Sequence, residues 1–213
     1  MSRVILILTV AALAGCTNFH VVEEGKVYRS AQPDIDDLRQ WIDQYGLRSV
    51  VRLRGGGPED DDYEESYRPT VEKSIAFYHI PMSSSRFPKK KELVRLCEVF
   101  ETAEYPILIH CKAGADRTGL ASASYILYRG GGMDAARDQL DFIPYWHTGL
   151  FGTGDLDKVL DMYEPWRGTM DFCQWVREVY ERPEDDDLPD GYIEEQRVLA
   201  AQYVREHSSP SSR

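Results

Sequence analysis

The stretch His110-Cys111-Lys112-Ala113-Gly114-Ala115-Asp116-Arg117-Thr118-Gly119 decides the fold. Before it, Pro106-Ile107-Leu108-Ile109 is an apolar run of the length of a short buried strand. After it, Leu120 to Tyr128 is rich in Ala, Leu and Ser and suits a helix packed at close range. A strand, a glycine-containing loop and a helix N-terminus together make an anion cradle. Backbone N–H groups converge there and the helix dipole adds positive potential. A cysteine opens this loop and an arginine closes it.

Working outward, Phe19–Val22 and Val27-Tyr28 flank Glu23-Glu24-Gly25-Lys26 as a small hairpin. Asp34 is a helix cap, with Leu38, Trp41, Ile42 and Tyr45 on one stripe and Gly46 as terminator. Ser49–Leu53 reads as a buried strand, Gly55-Gly56-Gly57-Pro58 as a break, and Glu59–Glu65 as the start of a helix. Ala76–Met82 is a strand, and Leu93, Leu96, Cys97 and Phe100 form the next helical stripe. This alternation predicts an α/β fold with a mostly parallel central sheet flanked by helices. Ligands of such sheets sit beyond the carboxyl ends of the strands, where the 110–118 loop lies. Beyond Gly130-Gly131-Gly132 the pattern turns helical: Met133–Tyr145, Asp155–Tyr163, a stripe of Phe172, Trp175, Val176, Val179 and Tyr180, and a terminal helix over Tyr192–Glu206. Ser208–Arg213 reads as a disordered tail.

The 213 residues suffice for one well-buried domain. The formal net charge of −11 argues against a nucleic-acid partner, so phosphate affinity must be built locally. Four cysteines, Cys16, Cys97, Cys111 and Cys173, are too sparse for a disulfide framework. A single pair, such as Cys111 with Cys97 or Cys173, can form under oxidising conditions. At the N-terminus Arg3 precedes an apolar run, Val4–Leu13, too short to span a bilayer but long enough for a signal-peptide core. The run ends in Leu13-Ala14-Gly15-Cys16, which resembles a bacterial lipobox. By that resemblance residues 1–15 are removed and Cys16 is lipidated, and Thr17 favours the outer membrane. The expected location is the bacterial cell envelope, lipid-anchored, with residues 16–183 forming the domain and 184–213 an acidic linker, helix and tail.

The loop carries the groups that cysteine-dependent phosphoester hydrolysis needs. A thiolate requires a pKa below the free value of about 8.5, and a helix N-terminus beside an arginine provides that setting. Cys111 is the candidate nucleophile, forming a cysteinyl-phosphate. Arg117 offers a planar fork for two phosphate oxygens. Lys112, Ala113, Gly114, Ala115 and Asp116 contribute loop amides, with Gly114 letting them turn inward. Thr118 is placed to hydrogen-bond the Cys111 sulfur, and His110 to order the loop by hydrogen bonding.

HCKAGADRTG resembles the signature of the protein tyrosine phosphatase superfamily, HC-x5-R-(S/T), nearest its dual-specificity and lipid-phosphatase branches. Tyr28-Arg29-Ser30-Ala31-Gln32-Pro33 resembles a motif of atypical dual-specificity phosphatases. The resemblance implies a metal-independent hydrolase without a cofactor, acting on phosphotyrosine or phosphoserine proteins, or on inositol phosphates or phosphoinositides. In that superfamily an Asp on a separate upstream loop protonates the leaving group. Residues 66–91, the corresponding window, contain no Asp, and Glu72 is their sole carboxylate. Two sources remain: Asp116 inside the loop, as in bacterial relatives with a GKDR-type loop, or the cluster Asp60-Asp61-Asp62. By the same resemblance Lys112 contacts additional phosphates, and Lys89-Lys90-Lys91, Arg54 and Arg86 are candidates for the pocket rim. The competing readings are a phosphate-binding pseudophosphatase lacking an efficient acid, and redox or sulfur-transfer chemistry on a similar loop.

Overall fold

The computed structural model describes residues 17–148, 154–184 and 187–207. Short β-prone runs alternate with amphipathic stripes, and the elements follow that order. These are β1 His20–Glu23, β2 Val27–Ser30, α1 Ile35–Tyr45, β3 Ser49–Arg52, α2 Asp61–Glu72, β4 Ala76–His79, α3 Lys90–Thr102, β5 Ile107–His110 and α4 Asp116–Tyr128. There follow α5 Met133–Arg137, α6 Phe142–Tyr145, α7 Asp155–Tyr163, α8 Phe172–Glu178 and α9 Tyr192–His207. The sheet runs β1-β2-β5-β3-β4, with β1 antiparallel to β2 and every other pair parallel. This is the expected α/β architecture.

Side chains alternate across the strands, as the two-residue period requires. Val27, Val51, Ile107 and Ile109 join the large core with α3, α4, α7 and α8. Tyr28, Val50 and Leu108 face the other way, onto Leu38, Trp41 and Ile42 of α1. That helix has the caps its sequence predicts: Asp34 Oδ1 accepts from Asp37 N–H at 2.7 Å, and Gly46 closes it at φ 61°. His110 pairs in register with Ser30 on one side and Arg52 on the other. Three parallel strands therefore end at one level, and the 110–118 loop leaves the middle one.

Two expectations change. Met133–Tyr145 is not one helix: α5 gives way to a 3-10 turn, Asp138–Leu140, and Asp141 is extended at ψ 153°. Ile143, ahead of Pro144, is also non-helical at φ −111° and ψ 124°, because the proline ring disfavours helical backbone in the preceding residue. The disulfide joins Cys97 of α3 to Cys173 of α8, leaving Cys111 free, so the pairings of Cys111 are corrected. Cys97 and Cys173 are the two cysteines that lie on packed helix faces, both fully buried in one core. The terminal helix forms as expected and docks, with Trp166 Nε1–H donating to Gln196 Oε1 at 3.0 Å and Ala200 buried. The leader, Cys16 and the 208–213 tail lie outside the described residues.

Candidate active site

The loop is shaped from below by β2. Gly114 takes φ +71°, and a Cβ there would stand 2.5 Å from Ala31 N and 2.6 Å from Ser30 C. Only glycine permits both the left-handed backbone and that approach. Fully buried Arg29 then ties the loop's underside. Its Nη2 donates to Gly114 O at 2.8 Å, its Nη1 donates to Gln139 O at 2.8 Å and to Gln139 Oε1 at 2.9 Å, and its guanidinium lies 3.8 Å from the Tyr145 ring centroid. Burial pulls the Arg29 pKa down to about 10, opposed by Tyr145 and Cys111, so it remains charged at neutral pH. Gly119 allows Gln139 to come so near: a Cβ on it would meet Leu140 Cδ2 at 2.7 Å and Gln139 O at 2.8 Å. With the loop carbonyls of Gly114 and Ala115 taken by Arg29, the loop N–H groups are left for the cradle.

From the other edges, Gln32 N–H donates to Lys112 O at 3.2 Å, and Leu53 N–H donates to His110 O at 2.9 Å. Asn18 Nδ2 bridges Ala113 O and Tyr145 O, each at 3.0 Å. Cys111 is buried at the head of the cradle, and Lys112 and Ala113 are exposed on its rim. Arg117 spends little on the protein: Nη1 donates weakly to Met82 O at 3.4 Å, and buried Nε has no partner among the described residues. Its remaining donors are available to a bound oxyanion.

Two supporting roles differ from expectation. Neither ring nitrogen of His110 makes a hydrogen bond among the described residues. Burial, then the charge of Arg52, pushes its pKa down to about 3. His110 therefore supports the loop as a neutral, packed ring, its charged form disfavoured first by burial and then by the charge of Arg52. Thr118 Oγ1 is fully buried beneath the loop, and the expected bond to Cys111 Sγ is not made.

The acidic candidates separate clearly. Asp60 Oδ2 accepts from Gly57 N–H at 2.8 Å and closes a turn. Asp61 is exposed at the head of α2. Asp62 pairs with Arg52 Nη2 at 3.1 Å and with Arg54, which removes Arg54 from the rim candidates. Asp116 opens α4 within the loop and is engaged by a residue that motif reading missed. His147 Nδ1 lies 2.8 Å from Asp116 Oδ1, while His147 Nε2 lies 2.8 Å from Asp157 Oδ1 on α7. Burial alone lowers an imidazole pKa, but the two carboxylates outweigh it and raise His147 to about 9. Nothing in the sequence spacing points to this trio; a histidine after Tyr145-Trp146 carries no motif.

Beside the clamp, a cavity of about 280 Å³ is lined by Gly55, Met82, Arg86, Lys89, Glu92 and Arg182, among others. Met82 joins it to Arg117 through the carbonyl contact. Lys90 instead pairs with Glu181 at 2.6 Å, and Lys91 is exposed on α3.

Comparison with known proteins agrees with this geometry. The inositol diphosphatase DSP1 of Oryza sativa subsp. japonica is 34% identical over 108 residues, 48% of this chain and 46% of that protein. The chain spans about half the length of the curated relatives it matches. Two solved structures share the fold. The core catalytic domain of the PP-IP phosphatase SIW14 from S. cerevisiae has a TM-score of 0.53 at 20% identity, covering 66% of this chain and 83% of that one. TpbA of P. aeruginosa has a TM-score of 0.53 at 20% identity, covering 89% and 94%. A family model described as DSP-PTPase phosphatase fused to NAD+ kinase matches residues 14–142, more than half of the sequence. The chain thus belongs to that family of dual-specificity and tyrosine phosphatase-like proteins.

Proposed function

We propose that the protein is a metal-independent phosphomonoesterase that works through a cysteinyl-phosphate on Cys111. The observation that carries this reading is the loop itself. The Gly114 and Ala115 carbonyls are turned onto Arg29, Cys111 is free, and Arg117 makes only one weak bond to the protein, at 3.4 Å to Met82 O. Cys111 Sγ attacks phosphorus in line, Arg117 and the loop N–H groups hold the equatorial oxygens, and the leaving oxygen takes a proton from Asp116. Water then attacks the cysteinyl-phosphate, its proton passes to Asp116, and phosphate leaves with the thiolate restored. Asp116 is the assigned acid because it lies in the loop, whereas Asp62 is committed to Arg52 and Arg54.

The substrate class we favour carries more than one phosphate: inositol phosphates or phosphoinositides. The cationic cavity beside Arg117, lined by Arg86, Lys89 and Arg182, supports it, and so does exposed Lys112 on the rim. A relative named for inositol diphosphatase activity supports it further. Phosphotyrosine and phosphoserine proteins are the competing substrates. We place the enzyme in the bacterial envelope, anchored through Cys16. The buried Cys97–Cys173 disulfide favours an oxidising compartment. No helix among the described residues is long and apolar enough to cross a membrane. Asn18, two residues after Cys16 in the sequence, is bonded to the phosphate loop.

The reading is tested with p-nitrophenyl phosphate in EDTA, alongside a panel of phosphopeptides, inositol phosphates and phosphoinositides. Turnover in chelator, lost in Cys111→Ser and blocked by vanadate, is expected, with the polyphosphorylated substrates giving the highest kcat/KM. Vanadate binding without turnover would instead support the pseudophosphatase reading, which the engagement of Asp116 by His147 keeps in contention.

A further inference from the structure

His147 is a buried titratable side chain that the cysteine chemistry does not use directly. It is 3% exposed, yet both ring nitrogens face carboxylates: Nδ1 to Asp116, and Nε2 at 2.8 and 3.1 Å from the two oxygens of Asp157. A neutral imidazole has one N–H and one lone pair. With both aspartates ionised, a neutral ring would turn its lone pair on a carboxylate oxygen. Two arrangements satisfy both contacts. In one, His147 carries two protons between two carboxylates. In the other, a neutral ring accepts from a protonated carboxyl group. They differ by one proton moving along the 2.8 Å line from Nδ1 to Asp116 Oδ1. Only this trio connects the phosphate loop to α7 by side-chain bonds among the hydrogen bonds described.

We propose that His147, steadied by Asp157, is the positioning residue and proton store for Asp116. The inference rests on the phosphomonoesterase reading above and supplies what that reading lacks, a source for the acid's proton. Asp116 stands at the head of α4 beside Arg117, its Oδ1 2.8 Å from the ring nitrogen that can supply its proton. When a phosphate dianion occupies the cradle, the proton passes from His147 Nδ1 to Asp116 Oδ1 along the 2.8 Å contact. As the P–O bond breaks and the S–P bond forms, that proton goes to the leaving oxygen. In the second step the attacking water gives its proton to Asp116, the S–P bond breaks, and the trio regains the proton it spent. Charged groups near the trio include Arg117 beside Asp116, Lys158 beside Asp157, and Arg137 and Asp141, which line a small cavity with Asp157. Arg137 is occupied by Asp161 at 2.8 Å and Glu164 at 2.9 Å. The His147 N–H donates to Asp141 O at 3.3 Å and orients the residue through its backbone.

The test uses full-length protein and leaving groups of two kinds. His147→Gln should lower kcat on an alkyl phosphate by about 10- to 100-fold, a part of the roughly 10²–10⁴-fold that general acid catalysis contributes, and on p-nitrophenyl phosphate by under about threefold, with KM little changed. The alkaline limb of the pH–rate profile should move to lower pH. The double variant with Asp116→Asn should be no slower than Asp116→Asn alone. Equal losses on both leaving groups, or multiplicative losses in the double variant, would overturn the proposal and leave His147 a packing residue. A second measurement does not depend on turnover: imidazole nitrogen shifts of His147 by NMR in the Cys111→Ser protein. Free protein near neutral pH should show two protonated ring nitrogens, and inorganic phosphate should move Nδ1 toward the unprotonated value. Phosphate that binds without moving that signal contradicts the store. Phosphate that does not bind at all defeats the cradle reading and this inference with it. A wild type that binds and shifts the signal but turns nothing over removes only the hydrolase reading.

Discussion

At Gly114 the phosphate loop touches the strand that shapes it, with φ +71° and a Cβ position 2.5 Å from Ala31 N. Gly114→Ala is expected to destabilise the protein by more than about 1 kcal/mol, because alanine is strained at positive φ and the backbone it meets cannot step aside. It should also lower kcat by at least tenfold through a displaced loop; urea unfolding and p-nitrophenyl phosphate turnover check both. His147 sets a pH signature at the same scale. Its folded pKa of about 9 lies above the ordinary value. The stabilisation from its two ion pairs is therefore complete below about pH 6.5 and lost as pH rises through the folded value. The stability gap between wild type and His147→Gln should accordingly narrow between pH 6 and pH 10 when both are unfolded in urea. A gap that widens with pH contradicts the assignment of the charged ring.

Among the elements, α8 is fastened to α3 by the Cys97–Cys173 bond, which closes a loop of 76 residues. The double variant Cys97→Ser with Cys173→Ser should lose about 2–4 kcal/mol of stability, while turnover per folded molecule is retained because Cys111 is not involved. A double variant that stays folded, with Cys111 reduced, yet turns over substrate well below the wild-type rate would contradict this separation. Much of this level was legible in advance. The hairpin, the capped α1, the strand ahead of Cys111 and the helix after it all rest on local period and capping chemistry that tertiary contacts then reinforce. The break at Ile143 was also readable, since Pro144 stood one residue from the end of the expected helix and disfavours helical backbone in the residue before it. The pairing of the cysteines was not, because spacing does not determine connectivity. Nor was the Asp116–His147–Asp157 trio, whose members lie 31 and 10 residues apart and meet only once α7 packs beneath α4. Arg29 sat inside a motif quoted from the sequence, but its grip on the loop carbonyls depends on the approach of Gln139, a tertiary event.

For the whole molecule, anchoring at Cys16 would bring one face of the fold to the bilayer, and that face has a probe. Trp146 is 69% exposed, beside exposed Phe142 and Ile143, whereas Trp41, Trp166 and Trp175 are buried. Aromatic side chains favour the membrane interface. Lipid-anchored protein in vesicles containing brominated lipid should show fluorescence quenching that disappears in Trp146→Phe; undiminished quenching in that variant contradicts the orientation. Cys16→Ser should move the protein from the membrane fraction to the soluble one. The central claim, however, is that Cys111 carries the phosphoryl group. Acid quenching of the protein during turnover of p-nitrophenyl phosphate, followed by intact-mass and peptide analysis, tests it most directly. One added phosphoryl group is expected on the peptide containing Cys111, absent in Cys111→Ser and accumulating if the second step is slowed in Asp116→Asn. Turnover without that adduct, or with the phosphoryl group on another residue, would contradict it.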